Sequence, residues 1–100
     1  MIKNVVTREE IIAFLRLHKG ELEKDFGVSK IALFGSFARN EATPDSDIDL
    51  LIDMKVKSYD KQFDLKEFLE AHFNRRIDLG SFDSIRPFIM RSIKEELIYA

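Results

Sequence analysis

The chain has no cysteine, only two histidines, two prolines and four glycines in 100 residues. Each scarcity removes a class of chemistry. Without cysteine there is no disulfide, no thiolate zinc site and no cysteine nucleophile. His18 and His72 are too few for a histidine-rich metal centre. The glycines, at 20, 27, 35 and 80, cannot compose a dinucleotide-binding fingerprint, and the Gly-Lys-Ser/Thr of a Walker A loop is missing. A calcium EF-hand loop opening at Asp45 would need glycine at 50 and glutamate at 56, where Leu50 and Val56 stand. No apolar run approaches the length of a membrane span, and the N-terminus lacks the apolar core of a signal peptide. The expected compartment is the cytoplasm, with no membrane partner.

A strong charge of one sign is also lacking. The net charge is −2 and the isoelectric point about 5.7, so extended nucleic-acid binding is not expected: gripping a phosphate backbone needs a basic face. Lys55, Lys57, Arg75 and Arg76 read as solvated charges at the ends of elements. With 45% apolar and 34% charged residues the chain is an ordinary globule, expected as a single domain over 1–100 with one modest core.

Thr7-Arg8-Glu9-Glu10 fits a capping box that opens a helix. Ile11, Leu15, His18 and Leu22 stripe one face of it. Gly20 weakens its middle enough to split it, and Gly27 suits its C-cap. Ile31–Phe34 reads as a buried strand ending at Gly35, and Ile48–Ile52 as a second. Ser58 or Asp60 caps a helix whose inner face is Leu65, Phe68, Leu69, His72 and Phe73; both histidines read as packing residues. Arg76–Leu79 alternates as a third strand. Ile85, Ile89, Ile93 and Leu97 predict a last helix with Pro87 in its first turn, and Phe88-Ile89-Met90 reads as core. The order α-β-β-α-β-α makes an α+β fold, a small mixed sheet with helices packed on it.

The stretch "LFGSFARNEATPDSDIDLLID", Leu33 to Asp53, carries the chemistry. Alternate strand residues point the same way, about 6.6 Å apart, so Asp47 and Asp49 share a face while Ile48, Leu50 and Ile52 point into the core. That spacing suits two divalent ions about 3.5–4 Å apart. Asp45, following Pro44, suits a turn cap rather than a third ligand. Oxygen-only ligands favour Mg²⁺, with Mn²⁺ as a substitute. Since Mg²⁺ is commonly shared with substrate phosphates, a nucleoside triphosphate is the natural third party. A strand that ends in Gly35-Ser36 and turns into a short helix exposes N–H groups and a hydroxyl to such phosphates. Arg39, a turn later, can reach the same phosphates or brace the loop.

Gly35-Ser36, ten residues, then Asp47-Ile48-Asp49 resembles the signature of the DNA polymerase β-like nucleotidyltransferase superfamily. The fuller string resembles its minimal members, small proteins commonly paired with a HEPN protein as toxin and antitoxin. The resemblance implies the polymerase β-like fold and a third carboxylate on the next strand, matched by Asp78. It implies transfer of AMP from ATP, with Asp47 and Asp49 holding two Mg²⁺ ions and Asp78 holding one and accepting the proton of the attacking hydroxyl. Gly35, Ser36 and Arg39 would cradle the phosphates. Asn40 departs from the glycine usual in relatives, but asparagine tolerates a left-handed backbone. The implied partner is a HEPN ribonuclease toxin modified on a hydroxyl, tyrosine first, in a hetero-complex or beside a homo-oligomer. Two alternatives stay open: an antitoxin that acts by binding alone, and transfer to a small-molecule acceptor.

Overall fold

The computed structural model describes residues 6–100. Thr7 opens α1 (Arg8–Leu17) with the predicted capping box: its hydroxyl accepts from the Glu10 N–H at 3.1 Å, and the Glu10 carboxylate accepts from the Thr7 N–H at 3.0 Å. The helix closes at His18 and restarts as α2 (Lys19–Phe26), so the split expected near Gly20 falls slightly earlier. Gly27, at φ 72°, ends α2 in the left-handed region.

Three longer strands follow: β1 (Val28–Phe34), β2 (Ile48–Met54) and β3 (Ile77–Ser81). A four-residue helix, α3 (Gly35–Ala38), follows β1 directly. Strand β1 runs antiparallel to β2, and β2 parallel to β3. A parallel neighbour requires a crossover, and α4 (Tyr59–Phe73) supplies it, capped by Ser58 and ended by Asn74 at φ 53°. The expected mixed sheet and α+β class are therefore present.

The core gathers Ile11, Leu15 and Leu22 from the first helices with Ile31, Leu33, Leu65, Leu69 and Ile77. From β2 it takes Ile48, Leu50 and Ile52, each fully buried. Burial of one such side chain stabilises by roughly 1.5–3 kcal/mol. That energy fixes the register of β2, because a one-residue slip would bury the aspartates and expose the isoleucines. His18 packs half-buried as expected, its ring 4.2 Å from that of Phe14; His72 stacks on Phe14 at 3.8 Å but is exposed, so it lies at the rim of the inner face of α4 and not within it.

The C-terminal third departs from expectation. Pro87 does stand at the start of α5 (Pro87–Ile93), but this helix does not run to Leu97. A 3-10 turn (Lys94–Glu96) follows, Leu97 is extended, and Ile98–Tyr99 form β4 against the outer edge of β1. The free edge of β1 offers unpaired N–H and C=O groups, and a β-branched residue beside an aromatic one suits a strand. The four-stranded order is β3-β2-β1-β4. Phe88 and Ile89 are not core: they are 61% and 39% exposed, because α1, α2 and α4 already close the apolar cluster. Among the described residues no helix is long and apolar enough to cross a membrane.

Candidate active site

Pairing across the sheet puts Phe34, Asp49 and Asp78 side by side on β1, β2 and β3. Asp49 is half-buried and Asp78 faces solvent. Immediately after Phe34, Gly35 turns at φ 79°, a conformation that suits glycine. A second reason excludes any side chain there. A Cβ on Gly35 would overlap the Asp49 carboxylate and stand 2.9 Å from its Cγ. The turn and the aspartate are packed directly against each other.

Burial pushes the Asp49 carboxyl up to about 6, and the negative charges of Asp78 and then Asp47 add to it. The close approach of the Asp78 carboxyl works in the same direction, while the Arg39 charge opposes it.

Asp47 precedes β2 at the end of a tight turn. The Ser46 hydroxyl accepts from the Thr43 N–H at 2.8 Å, and the Ser46 N–H donates to the Thr43 carbonyl at 3.0 Å. Arg75 Nη1 staples this turn from outside, donating to the carbonyls of Pro44 and Ser46, each at 2.9 Å. The next residue continues the link: the Arg76 carbonyl accepts from the Ile48 N–H at 3.0 Å. The connection from α4 into β3 thus holds the approach to β2, and Asp47 and Asp78 are positioned by one tied unit. A cavity of about 690 Å³ opens beside it, walled by Phe37, Pro44, Asp47, Arg75 and Arg76 among others.

Ser36 is half-buried, and its hydroxyl makes no hydrogen bond among the described residues. Asn40 takes φ 61°, the left-handed conformation that its glycine-like position demands. Arg39 is held by two carboxylates: Nε donates to Glu41 at 3.0 Å and Nη1 to Glu96 at 3.1 Å. The second Glu96 oxygen accepts from the Gly35 N–H at 2.7 Å. Arg75 and Glu96 carry no mark in the sequence. Arg75 looks like any charge after a helix, and Glu96 meets Gly35 across 61 residues of chain, beyond any local pattern.

The donor set fits a hard divalent cation. Asp47, Asp49 and Asp78 offer only oxygens, and the raised proton affinity of Asp49 comes first from burial and then from the neighbouring carboxylates, both of which a cation would offset. Among the described residues no three carboxylates or imidazoles enclose an ion unaided. An open shelf of this kind suits Mg²⁺, which keeps waters and shares phosphate oxygens.

Comparison with known proteins gives the family and the fold. The family described as "Nucleotidyltransferase domain" matches residues 15–100. A protein of Thermococcus cleftensis named protein adenylyltransferase MntA is 41% identical over 96 residues, covering 95% of this chain and 97% of that one. A solved structure, provisionally named a minimal nucleotidyltransferase, superposes with a TM-score of 0.78 at 29% identity, over 93% of this chain and 95% of that chain. A chain from a complex of tri-AMPylated Shewanella oneidensis HEPN toxin with MNT antitoxin superposes at 0.58. It covers 92% of this chain and 66% of that one, and at 19% identity the likeness is of fold alone.

Proposed function

The chain belongs to the nucleotidyltransferase domain family, and from that premise we propose that it is an antitoxin that transfers AMP from ATP to a hydroxyl, tyrosine first, of a HEPN-type toxin in the cytoplasm. The observation that carries this reading is the contact between the Gly35 turn and Asp49, which stands opposite Asp78 in the pairing of β2 with β3. It sets Asp49 and its neighbour Asp78 beside a glycine turn with no room for a side chain. The names borne by the Thermococcus relative and the Shewanella complex support the acceptor class.

Each residue then has a role. Asp47 and Asp49 would hold two Mg²⁺ ions, and Asp78 would share one of them. Bound divalent ions supply Lewis-acid stabilisation of the triphosphate and its leaving pyrophosphate. Ser36 offers a hydroxyl donor to the phosphates, and Gly35 and Arg39 a backbone N–H and a guanidinium. Asp78, on the solvent side of Asp49, takes the proton of the acceptor hydroxyl as it attacks the α-phosphorus in line. Pyrophosphate departs with the electron pair of the broken P–O bond.

The test incubates the chain with α-labelled ATP, Mg²⁺ and the HEPN protein encoded beside it, wild type against Asp47→Ala/Asp49→Ala. Label on the HEPN protein that disappears with the double variant is the expected result. A HEPN protein that stays unlabelled, with cells still protected by the double variant, assigns the chain to inhibition by binding.

A further inference from the structure

Two of the donors assigned to the phosphates, the Gly35 N–H and the Arg39 guanidinium, already hold an anion, and it belongs to the chain. The Glu96 carboxylate accepts from Gly35 with one oxygen at 2.7 Å, and Arg39 Nη1 lies 3.1 and 3.3 Å from its two oxygens. Its side chain is 17% exposed, against 46% for Arg39 and 65% for Glu41. Glu96 therefore sits inside the grip, while Glu41 contacts Arg39 from outside through Nε.

We infer that Glu96 is an internal stand-in for a nucleotide phosphate, which the triphosphate must displace before the site can work. This rests on the assignment of Gly35 and Arg39 to the phosphates. A carboxylate and a phosphate edge both accept from a fork of N–H donors, and one backbone N–H cannot point fully at both. The segment that carries Glu96 is suited to release it. Neither α5 nor the 3-10 turn contains a buried residue, and β4 is two residues long. Sparse burial of this kind marks the parts of a fold that open at least cost. Glu96 satisfies donors that would otherwise lack a partner, and it keeps weaker anions out of the turn.

The test measures affinity for Mg²⁺ with α,β-methylene-ATP, which cannot transfer AMP, by calorimetry on the full chain. Glu96→Gln preserves shape and can still accept from Gly35, but it removes the charge that competes for Arg39. It should bind the nucleotide about ten- to a hundredfold more tightly than wild type, the range expected for a charge-assisted hydrogen bond. Glu41→Gln removes an equal charge outside the grip and should gain less than about fivefold. Equal gains in the two variants would reduce the effect to net charge and overturn the inference. So would weaker binding by Glu96→Gln, which would make Glu96 a brace for the turn. In the wild type, amide signals of Glu96 to Tyr99 should shift on titration together with those of Gly35 and Arg39. Shifts confined to Gly35–Arg39 would also overturn it. Nucleotide binding by wild type with no gain in Glu96→Gln sinks this inference alone, whereas no binding by either protein sinks the phosphate assignment as well.

Discussion

Replacing Gly35 by alanine perturbs the contact between turn and aspartate with the smallest available change. The new Cβ would overlap the Asp49 carboxylate and lie 2.9 Å from Cγ and 3.2 Å from Cβ of that residue. A non-glycine residue at φ 79° costs about 1–2 kcal/mol in backbone strain. Forcing two packed groups apart costs a further 1–3 kcal/mol or so. For a domain of this size the sum should lower Tm by roughly 10–30 °C. Activity should fall further than stability explains, since about 1 Å of displacement at a reacting group can cost about a hundredfold. Two other glycines serve as controls. Gly20→Ala meets nothing within 4 Å in α2 and should stabilise by up to about 1 kcal/mol. Gly80→Ala meets only Leu51 Cδ2, at 3.2 Å, and should cost about 1 kcal/mol because that side chain can give. The assays are thermal unfolding by circular dichroism and label transfer at a temperature where all variants are folded. A Gly35→Ala protein that melts within a few degrees of wild type and transfers at its rate would show that the turn does not press on Asp49.

Three further outcomes are expected. In metal-free buffer the raised Asp49 carboxyl stabilises the fold while protonated, so that contribution is present below about pH 4 and lost as the pH rises through about 6. Discounted for a half-open site, the loss is on the order of 1 kcal/mol, and Asp78→Asn should lessen it without abolishing it, since burial is the larger cause; Tm profiles over pH identical in the two proteins would contradict the coupling. Mg²⁺ with ATP should raise the wild-type Tm by mass action, more at pH 7.5 than at pH 5, because a protonated Asp49 cannot serve as a ligand; equal shifts at both pH values would remove Asp49 from the metal site. Arg75→Ala frees the carbonyls of Pro44 and Ser46 and should cost about 1–3 kcal/mol, with lower kcat as Asp47 loosens. Arg75→Lys should recover much of this, since one nitrogen makes those bonds, and a lysine variant as impaired as alanine would refute the staple.

Much of the architecture is legible in single residues because short-range physics sets it. The capping box at Thr7, the left-handed stop at Gly27 and the left-handed Asn40 are decided within a few residues of chain. The alternation of Ile48, Leu50 and Ile52 with Asp47 and Asp49 settles which way β2 faces, since burying the charged set would cost far more than burying the apolar set. The C-terminal segment resisted the same reading. Ile85, Ile89, Ile93 and Leu97 keep a helical period, but the open edge of β1 draws Ile98 and Tyr99 into a strand. That edge exists only once the sheet has formed. The contacts that tune the site are equally non-local: Glu96 reaches Gly35, Arg75 reaches the turn before Asp47, and Asp49 meets Asp78 through parallel pairing. Residue types and spacing are enough to nominate Asp47 and Asp49, whereas Asp78 enters only through the family resemblance. Which carboxylate gains proton affinity, and which is already spent on Arg39, depends on distances that arise when distant segments pack.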